Sequence, residues 1–294
     1  MRRILALGVV LVLAGCGGSS NKSASGGGAT TTTAGAATCV KASLPLVHSG
    51  QLTVGTDNPA YPPWFGGAEK SPWKVSDPRS GQGFESAVAY AVAKKLGFAN
   101  NDVNWIVVPF NTSFAPGPKK FDFDINEISY TPARAKVVTF SDSYYDVNQA
   151  VVGKKGTPIA AAQSSADLQK FKLGAQVGTT SYQYIKEFIK PSKQPAVFDT
   201  NDAAVAALKN GQIDGLVVDL PTAFYVTAAQ VPNSKIVGQF PTGNAGERFG
   251  MVFQKGNTLV GCVNVALNEL KADGTLQKIQ EKWLAKVGGA PILH

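Results

Sequence analysis

Short apolar runs alternate with longer amphipathic stretches along this chain from residue 52 onward. Residues 52–55 and 103–108 have the length and composition of buried strands. Between them, residues 85–96 have the spacing of an amphipathic helix, which Gly97 ends. This alternation predicts a mostly parallel sheet with helices packed on it.

A second set of strands and helices is predicted after Pro158. Residues 173–177 and 213–218 are predicted strands, and Asn201 is the predicted cap of a helix at 202–209 that Gly211 ends. The other predicted segments are a strand at 137–140, an extended crossover at 147–153, a strand at 235–237, a returning segment at 249–253, and helices at 258–272 and 275–287. We therefore predict two α/β lobes joined by two extended hinge crossings. Lobe 1 comprises residues 39–150 and 246–294, and lobe 2 comprises residues 151–245.

The N-terminal residues have the pattern of a processing signal. Arg2 and Arg3 precede an apolar run at 4–13 that is too short to span a bilayer, and Leu-Ala-Gly-Cys follows, ending at Cys16. These four residues resemble a lipobox, which implies removal of residues 1–15 and lipidation of Cys16. The alternative is an ordinary secretory peptide cut nearby. Residues 16–38 then form a flexible linker with a reach of roughly 25 Å.

Composition and charge narrow the possible functions. The 294 residues are 44% apolar and 16% charged, which suits one large or two modest globular domains. The formal charge of +8 becomes +6 without residues 1–15, which carry Arg2 and Arg3 and no acid. No basic stripe with interleaved aromatic residues is present, so we do not expect a nucleic-acid partner. With only His48 and His294 and no Cys/His cluster, we predict no metal site and no cofactor.

The stretch Asn126-Glu-Ile-Ser-Tyr-Thr-Pro-Ala-Arg134 contains a helix start. Thr131 can cap the helix and Pro132 is suited to its first position. Arg134 then lies in the first turn, where the helix dipole repels a cation. Either an anion binds at this point, or Arg134 is a surface residue paired with a carboxylate such as Asp142.

The same stretch, followed by Phe140-Ser-Asp and Tyr144-Tyr145, resembles the polar amino-acid binding proteins of ABC importers, solute-binding protein family 3. The resemblance extends over segments 52–64, 81–97, 174–182, 207–221 and 269–283. It implies an α/β, two-lobed periplasmic-binding-protein fold and a monomer. It also implies a free amino acid as ligand, an ABC permease as partner, and no enzymatic activity. With the lipobox, it places the protein outside the cytoplasm, lipid-anchored to the outer face of the cell membrane.

The predicted ligand site lies at the carboxyl ends of strands, where open α/β sheets bind ligands. In the family that this chain resembles, the residue equivalent to Arg134 clamps the ligand's α-carboxylate. Ser129 and the turn at Thr179 and Thr180 are further candidates at this end, with Gln176 at the end of the preceding strand. Asp219 is the predicted counter-charge for the ammonium, or alternatively a cap of the helix that Pro221 starts. A zwitterion would thus bridge the two lobes and favour closure.

The resemblance places Tyr61 and Phe114 against the ligand's side chain. Trp64 either contacts the ligand or plugs the end of the lobe. Asp57 resembles the acceptor that relatives direct at a distal cation or amide. Glu127 stands where relatives have a small residue, and it points either to the α-ammonium or into solvent. Two carboxylates without a second matched arginine favour a basic or amide-bearing amino acid.

The cysteines that remain once Cys16 is lipidated are Cys39 and Cys262. In an oxidising compartment we predict that they form a disulfide between the start of the folded domain and a C-terminal helix. The alternative is two buried free thiols.

Two other functions remain possible at this point. Some relatives with this fold have acquired dehydratase activity, and Glu127 is the candidate acid or base for such an enzyme. A sensory module that presents a ligand to a receptor is the second, and it would act through a partner.

Overall fold

Two five-stranded sheets form the framework of this protein. The computed structural model describes residues 39–240, 246–285 and 289–294. The predicted signal peptide, Cys16 and the linker lie outside the described residues, as does the end of the last predicted helix at 286–287. None of the helices in the described ranges is long and apolar enough to cross a membrane.

The strands and helices are numbered in chain order. The strands are β1 Leu52–Thr56, β2 Val103–Val107, β3 Phe123–Asp124, β4 Val138–Phe140, β5 Tyr145–Val147, β6 Gln149–Lys154, β7 Leu173–Gln176, β8 Ala196–Phe198, β9 Gly215–Asp219, β10 Ser234–Gln239, β11 Glu247–Phe249 and β12 Val252–Gln254. The helices are α1 Phe84–Lys95, α2 Phe110–Ser113, α3 Pro132–Ala135, α4 Thr180–Tyr184, α5 Asn201–Lys209, α6 Leu220–Tyr225, α7 Leu259–Ala272 and α8 Thr275–Leu284. The π-helical turns Ile185–Ile189 and Val226–Gln230 extend α4 and α6.

The first sheet has the strand order β2-β1-β3-β12-β4. β1 pairs in parallel with β2 and β3, whereas β12 runs antiparallel to β3 and β4. α1 packs on this sheet through residues spaced about one turn apart, Phe84, Val88 and Val92, which are all fully buried. We call this sheet and the helices packed on it the first lobe.

The second sheet has the order β10-β6-β9-β7-β8. β7 pairs in parallel with β8 and β9, and β6 runs antiparallel between β9 and β10. The sheet is covered on its two sides by separate apolar clusters, one with α5 and α6 and the other around Ile159 and Ile185. We call this part the second lobe.

The two crossings between the lobes run side by side. β5 and β11 form a two-stranded antiparallel ladder in which Glu247 faces Val147 and Phe249 faces Tyr145. Extended backbone therefore connects the sheets in both directions, as the sequence predicts. The two-lobed α/β fold is confirmed.

Two predicted boundaries differ from the structure. β6 begins at Gln149, so the predicted lobe boundary at residue 150 falls inside a strand of the second sheet. The last residues, predicted in lobe 1, pack on the second lobe instead. Leu293 is buried there, Ile292 bridges Gln239, and the Ser165 N–H donates to the His294 carbonyl. The tail takes this position because Leu293 is buried against the second sheet. A segment this short has too little apolar pattern to predict the lobe on which it packs.

Threonine side chains cap the starts of α3, α4 and α5. Thr131 accepts a hydrogen bond from the Arg134 N–H and Thr179 accepts one from the Tyr182 N–H. The cap of α5 is Thr200, which accepts from the Ala203 N–H, and not the predicted Asn201, which is the first helical residue. Both residue types cap helices well, so the sequence places this boundary only to within one residue.

The predicted disulfide is present. Cys39 and Cys262 are bonded, with their Cα atoms 5.4 Å apart and a sequence separation of 223. The bond fastens the first described residue to α7 in the first lobe.

Candidate ligand-binding cleft

A cleft of about 1100 Å³, counted with the solvent space at its mouth, separates the two lobes. Its walls carry eight of the eleven residues predicted to bind ligand: Asp57, Tyr61, Trp64, Glu127, Gln176, Thr179, Thr180 and Asp219. The other three, Phe114, Ser129 and Arg134, are absent from the cleft wall. They lie together behind it, next to the Gly178 turn.

Arg134 is buried at the junction of the lobes. Its Nη1 donates to the Ser129 carbonyl at 2.6 Å and its Nη2 to the Gly178 carbonyl of the second lobe at 2.8 Å. Its guanidinium carbon lies 4.1 Å from the centre of the Phe114 ring. Burial lowers the pKa of Arg134 to about 10, although the charges of Glu247 and Asp219 act in the opposite direction. A surface pair with Asp142 is excluded, because Arg134 is only 8% exposed.

Phe114 therefore supports the guanidinium and does not line the cleft. Phe110, the first residue of the short helix that ends just before Phe114, does line it, and its ring lies 5.6 Å from the Arg134 guanidinium carbon. The two rings meet edge to face at 5.2 Å. The predicted contact of Phe114 with a ligand side chain is thus replaced by a cation–π contact with Arg134.

The turn before α4 needs a glycine. Gly178 has φ +77°, and a Cβ atom at this position would collide with the Asn111 side chain. The Thr179 hydroxyl donates to the Gln176 carbonyl at 2.7 Å and accepts from the Tyr182 N–H at 3.1 Å. Thr179 is therefore engaged as a cap, whereas the neighbouring Thr180 hydroxyl points away from the turn.

Thr180 and Ser129 both donate to Glu247, a residue that the sequence analysis does not single out. One carboxylate oxygen, Oε1, accepts from the hydroxyls of Ser129 and Thr180, each at 2.5 Å. The two hydroxyl oxygens are 3.3 Å apart. Glu247 lies on the crossing strand β11 and thus joins donors from both lobes.

Gln149, at the start of β6, connects this cluster to Asp219. Its Nε2 donates to Glu247 Oε2 at 2.9 Å and to Asp219 Oδ1 at 2.5 Å, and its Oε1 accepts from the Ser181 hydroxyl at 2.6 Å. Asp219 makes no side-chain hydrogen bond to the start of α6, so the capping interpretation is wrong. Burial, and then the charge of Glu247, raise the pKa of Asp219 well above its ordinary value.

Glu127 points into the cleft region and not into solvent. Its Oε2 accepts from the Thr222 hydroxyl at 2.8 Å, and Thr222 in turn accepts from the Trp64 indole N–H at 2.9 Å. These two hydrogen bonds join Glu127 and Trp64 of the first lobe to Thr222 of the second lobe. Burial and the neighbouring charge of Glu85 raise the pKa of Glu127 well above its ordinary value.

Trp64 plugs the end of the first lobe, as one of the two interpretations from the sequence had it, and it also borders the cleft. Its side chain is 1% exposed and packs edge-on against the rings of Phe84, Tyr145 and Phe249. It also forms part of the cleft wall. It is therefore a core residue whose polar edge reaches the cleft.

Glu85, at the first turn of α1, supports the cleft from behind. Its Oε1 accepts from the Glu127 N–H at 2.6 Å and from the Tyr144 hydroxyl. Its other oxygen has no hydrogen-bond partner among the described residues. Burial raises the pKa of Glu85 to about 7.

The far end of the cleft carries Asp57 and two tyrosines. Asp57 Oδ1 accepts from the Asn58 N–H at 2.7 Å, and burial raises its pKa. The Tyr61 hydroxyl donates to Asp202 Oδ1 across the cleft at 2.5 Å. The Tyr61 ring lies 5.8 Å from that of Tyr225. A carboxylate from each lobe and aromatic surface therefore surround this end.

The cleft wall is acidic. Asp57, Glu127, Asp202 and Asp219 line it, and no lysine or arginine does so within the described ranges. The guanidinium of Arg134, on which the charge of Asp219 acts, lies behind this wall. Among the described residues, no three His, Cys, Asp or Glu side chains converge as a metal site. The cleft is therefore suited to a ligand with excess positive charge.

Sequence reasoning missed Glu247, Gln149 and Asp202. Glu247 begins the crossing strand β11 and Gln149 begins β6 of the second sheet, so both lie away from the carboxyl ends of strands, where we expect ligand groups. Asp202 is in the first turn of α5, where an acid is ordinarily explained by the helix dipole. The one usable signal was that a polar Gln149 opens an otherwise apolar strand.

A cleft between two α/β lobes, with paired extended crossings behind it and charged groups from both lobes at its wall, defines a two-lobed solute-binding protein. Residues 52–286 match the family described as bacterial extracellular solute-binding proteins, family 3. The chain belongs to this family.

Relatives in the family include proteins named for several amino acids. The chain is 33% identical over 172 residues to the ABC transporter arginine-binding protein 1 of Escherichia coli (strain K12), covering 56% of this chain and 67% of the relative. It is 27% identical to the arginine-binding extracellular protein ArtP of Bacillus subtilis (strain 168), over 74% of this chain and 83% of the relative. A solved ancestral arginine-binding protein bound to arginine is 35% identical with a TM-score of 0.65, covering 80% of this chain and 98% of that structure.

Proposed function

We propose that this protein captures a cationic L-amino acid of the arginine type outside the cytoplasm and delivers it to an ABC transporter. The observation that carries the proposal is a cleft wall to which the described residues contribute four carboxylates and no lysine or arginine. Membership of an extracellular solute-binding family and relatives named as arginine-binding ABC transporter proteins support it.

The α-carboxylate and the α-ammonium of the ligand bind at opposite parts of the cleft. Its α-carboxylate binds towards Arg134 and the N–H groups at the start of α4, which together favour an anion. Its α-ammonium binds between Asp219 and Glu127, one from each lobe. The carboxylate and the ammonium then draw the two lobes together about β5 and β11.

The side-chain cation binds towards Asp57. Asp57 and Asp202 approach this end from different lobes, and the Tyr61 and Tyr225 rings supply apolar and cation–π contact. A guanidinium fits this surrounding better than a carboxylate, because an anion would add like charge to an acidic wall. Glutamate is therefore excluded as the main ligand.

Proton release provides an independent sign of cation binding. The pKa values of Asp57, Glu127 and Asp219 are raised in the ligand-free protein. A bound cation stabilises their charged forms and lowers those pKa values. Binding of arginine should therefore release protons, and affinity should rise with pH over the range in which these carboxyl groups lose their protons.

Isothermal titration against arginine, lysine, glutamine, citrulline and glutamate tests the proposal. We expect tight one-to-one binding of arginine, weaker binding of its neutral analogue citrulline, and no binding of glutamate. Titrations in buffers of different ionisation heat report the proton release. Tight glutamate binding, or no binding of any cationic amino acid, would refute the proposed ligand class.

An enzymatic activity is the alternative that one observation favours. Glu127 has a raised pKa beside the cleft, as a general acid would. One structural neighbour, 31% identical with a TM-score of 0.62, is described as an ancestral amino acid-binding protein and precursor of cyclohexadienyl dehydratase. NMR of the ligand after prolonged incubation separates the two functions, because a transport protein returns its ligand unchanged.

The lipid anchor at Cys16, a division into lobes at the crossing strands β5 and β11, and the monomeric state complete the proposal. Cys16 lies outside the described residues, and the lipobox-like sequence supports its lipidation. Mass analysis of the membrane-extracted protein tests this directly: a diacylated Cys16 at the mature N-terminus is expected, and an unmodified N-terminus would contradict it.

A further inference from the structure

Behind the cleft wall, close to Arg134, a carboxylate of the protein bridges hydroxyl groups of the two lobes. Glu247 Oε1 accepts from the Ser129 hydroxyl of the first lobe and the Thr180 hydroxyl of the second. A ligand α-carboxylate would be expected to approach these same two residues. Neither Ser129 nor Arg134 belongs to the cleft wall in this arrangement.

The other carboxylate oxygen of Glu247 is also hydrogen-bonded. Oε2 accepts from Gln149 Nε2 at 2.9 Å, and Gln149 is 2% exposed and also bonded to Asp219 and Ser181. Glu247 itself is only partly buried and lies on the two-stranded crossing. It can therefore turn towards solvent at a lower cost than a core carboxylate would require.

The charge of Glu247 also matters to Arg134. Of the two carboxylates that stabilise the Arg134 cation, Glu247 acts more strongly than Asp219. The Arg134 charge, which is deeply buried, is thus partly balanced before any ligand binds. A ligand carboxylate that arrives beside Arg134 meets a second negative charge in the same small region.

We propose that Glu247 is an internal competitor for the ligand's α-carboxylate, and that it sets how much the carboxylate contributes to binding. The inference rests on the proposed function, since it concerns the same cleft. When a ligand binds, its carboxylate takes the place beside Arg134 and the Glu247 carboxylate leaves the Ser129 and Thr180 hydroxyls. The net contribution of the carboxylate to affinity is then smaller than it would be without Glu247, whereas the ligand's cationic groups are not opposed.

The test compares arginine with agmatine, which has the same guanidinium and amine but no carboxylate. Isothermal titration gives the ratio of the agmatine Kd to the arginine Kd, which measures the benefit of the carboxylate. E247Q keeps an oxygen that can accept from both hydroxyls and removes the charge. We expect this ratio to rise by about tenfold in E247Q, because arginine binds more tightly while agmatine does not.

Two further variants control the comparison. E281Q makes the same change of charge at an exposed position on α8, where Glu281 accepts from Gln277, and should leave the ratio as in the wild type. E247D keeps the charge and should keep the ratio within about threefold of the wild type. Should E247Q not fold, E247S removes the carboxylate from the same partly exposed position and serves the same comparison.

The outcomes separate this inference from the proposed function. A ratio that rises in E247Q and stays near the wild-type value in E281Q and E247D supports the competition. An unchanged ratio in E247Q, with arginine still bound tightly by the wild type, overturns the role of Glu247 and leaves the proposed function standing. A wild-type protein that binds neither compound overturns both.

Discussion

Replacing Arg134 with alanine removes a guanidinium that the fold buries and the proposed ligand needs. In the ligand-free protein two effects oppose each other. Burial lowers the pKa of Arg134 from 12.5 to about 10, and at about 1.4 kcal/mol for each factor of ten the burial cost is on the order of 3 kcal/mol. Its two hydrogen bonds, to Ser129 and Gly178, each contribute about 1.5 kcal/mol or more because the donor is charged.

Because these two effects nearly cancel, R134A should change the free energy of unfolding by about 1 kcal/mol or less. Ligand binding should respond differently. Removing one member of a desolvated charge pair costs about 3 to 5 kcal/mol, which is two to four decades in affinity. The expected result is thus a protein that folds as well as the wild type and hardly binds arginine.

Urea unfolding without ligand and isothermal titration with arginine measure the two quantities separately. R134K keeps the charge but cannot reach both carbonyls with one ammonium, so we expect a loss of about one to two decades. R248A is the matched control, since Arg248 lies exposed on β11 with its guanidinium carbon 4.6 Å from the Tyr130 ring, and should bind arginine almost normally. The reasoning is refuted if R134A binds arginine within tenfold of the wild type, or if its unfolding free energy falls as much as its binding.

Three further changes have distinct expected results. D57N should weaken arginine binding by about tenfold to a hundredfold and citrulline binding far less, measured by calorimetry; equal losses would contradict a role for Asp57 in charge selection. Because the folded-state pKa of Glu85 is about 7 against 4.5, its contribution to stability is fully present below pH 4.5 and is lost as the pH rises to about 7, by roughly 3 kcal/mol. Urea unfolding across this range should show a smaller decline in E85Q than in the wild type, by about this amount, because Asp57, Glu127 and Asp219 also have raised pKa values and contribute the rest. Replacing Cys39 and Cys262 together with serine should lower the free energy of unfolding by about 2 to 5 kcal/mol, because the bond closes a long loop; an unchanged denaturation midpoint would contradict this.

The parts of the fold that follow from local pattern were predictable. Strand β1, helix α1 and the capped start of α3 arise from apolar spacing and from Thr131 and Pro132, all within a few residues. The pairing of β6 between β9 and β10 was not predictable, since antiparallel and parallel neighbours give the same run of apolar residues. The position of the C-terminal tail likewise depends on a single buried side chain, Leu293.

For the cleft, the rule that ligands bind beyond strand ends brought Asp57, Thr180 and Asp219 to its wall. The same rule could not find Glu247 or Gln149, because they act from within strands. Phe114 shows a different limit: the sequence identified an aromatic residue close to the site, but only the geometry shows that it faces Arg134 and that Phe110 faces the cleft.

The chain passes between the lobes a third time, and this passage limits how far the cleft can open. Helix α8 ends at Leu284 in the first lobe, while Leu293 is held in the second. Ala290 is held there too, because its carbonyl accepts from Gln239 Nε2 at 3.0 Å. The stretch from Ala285 to Ala290 spans no more than about 18 Å when fully extended. When the lobes open, Ala285 and the start of the tail must therefore stay within that distance of each other. Opening any further would pull Leu293 out of the second lobe and expose it to water.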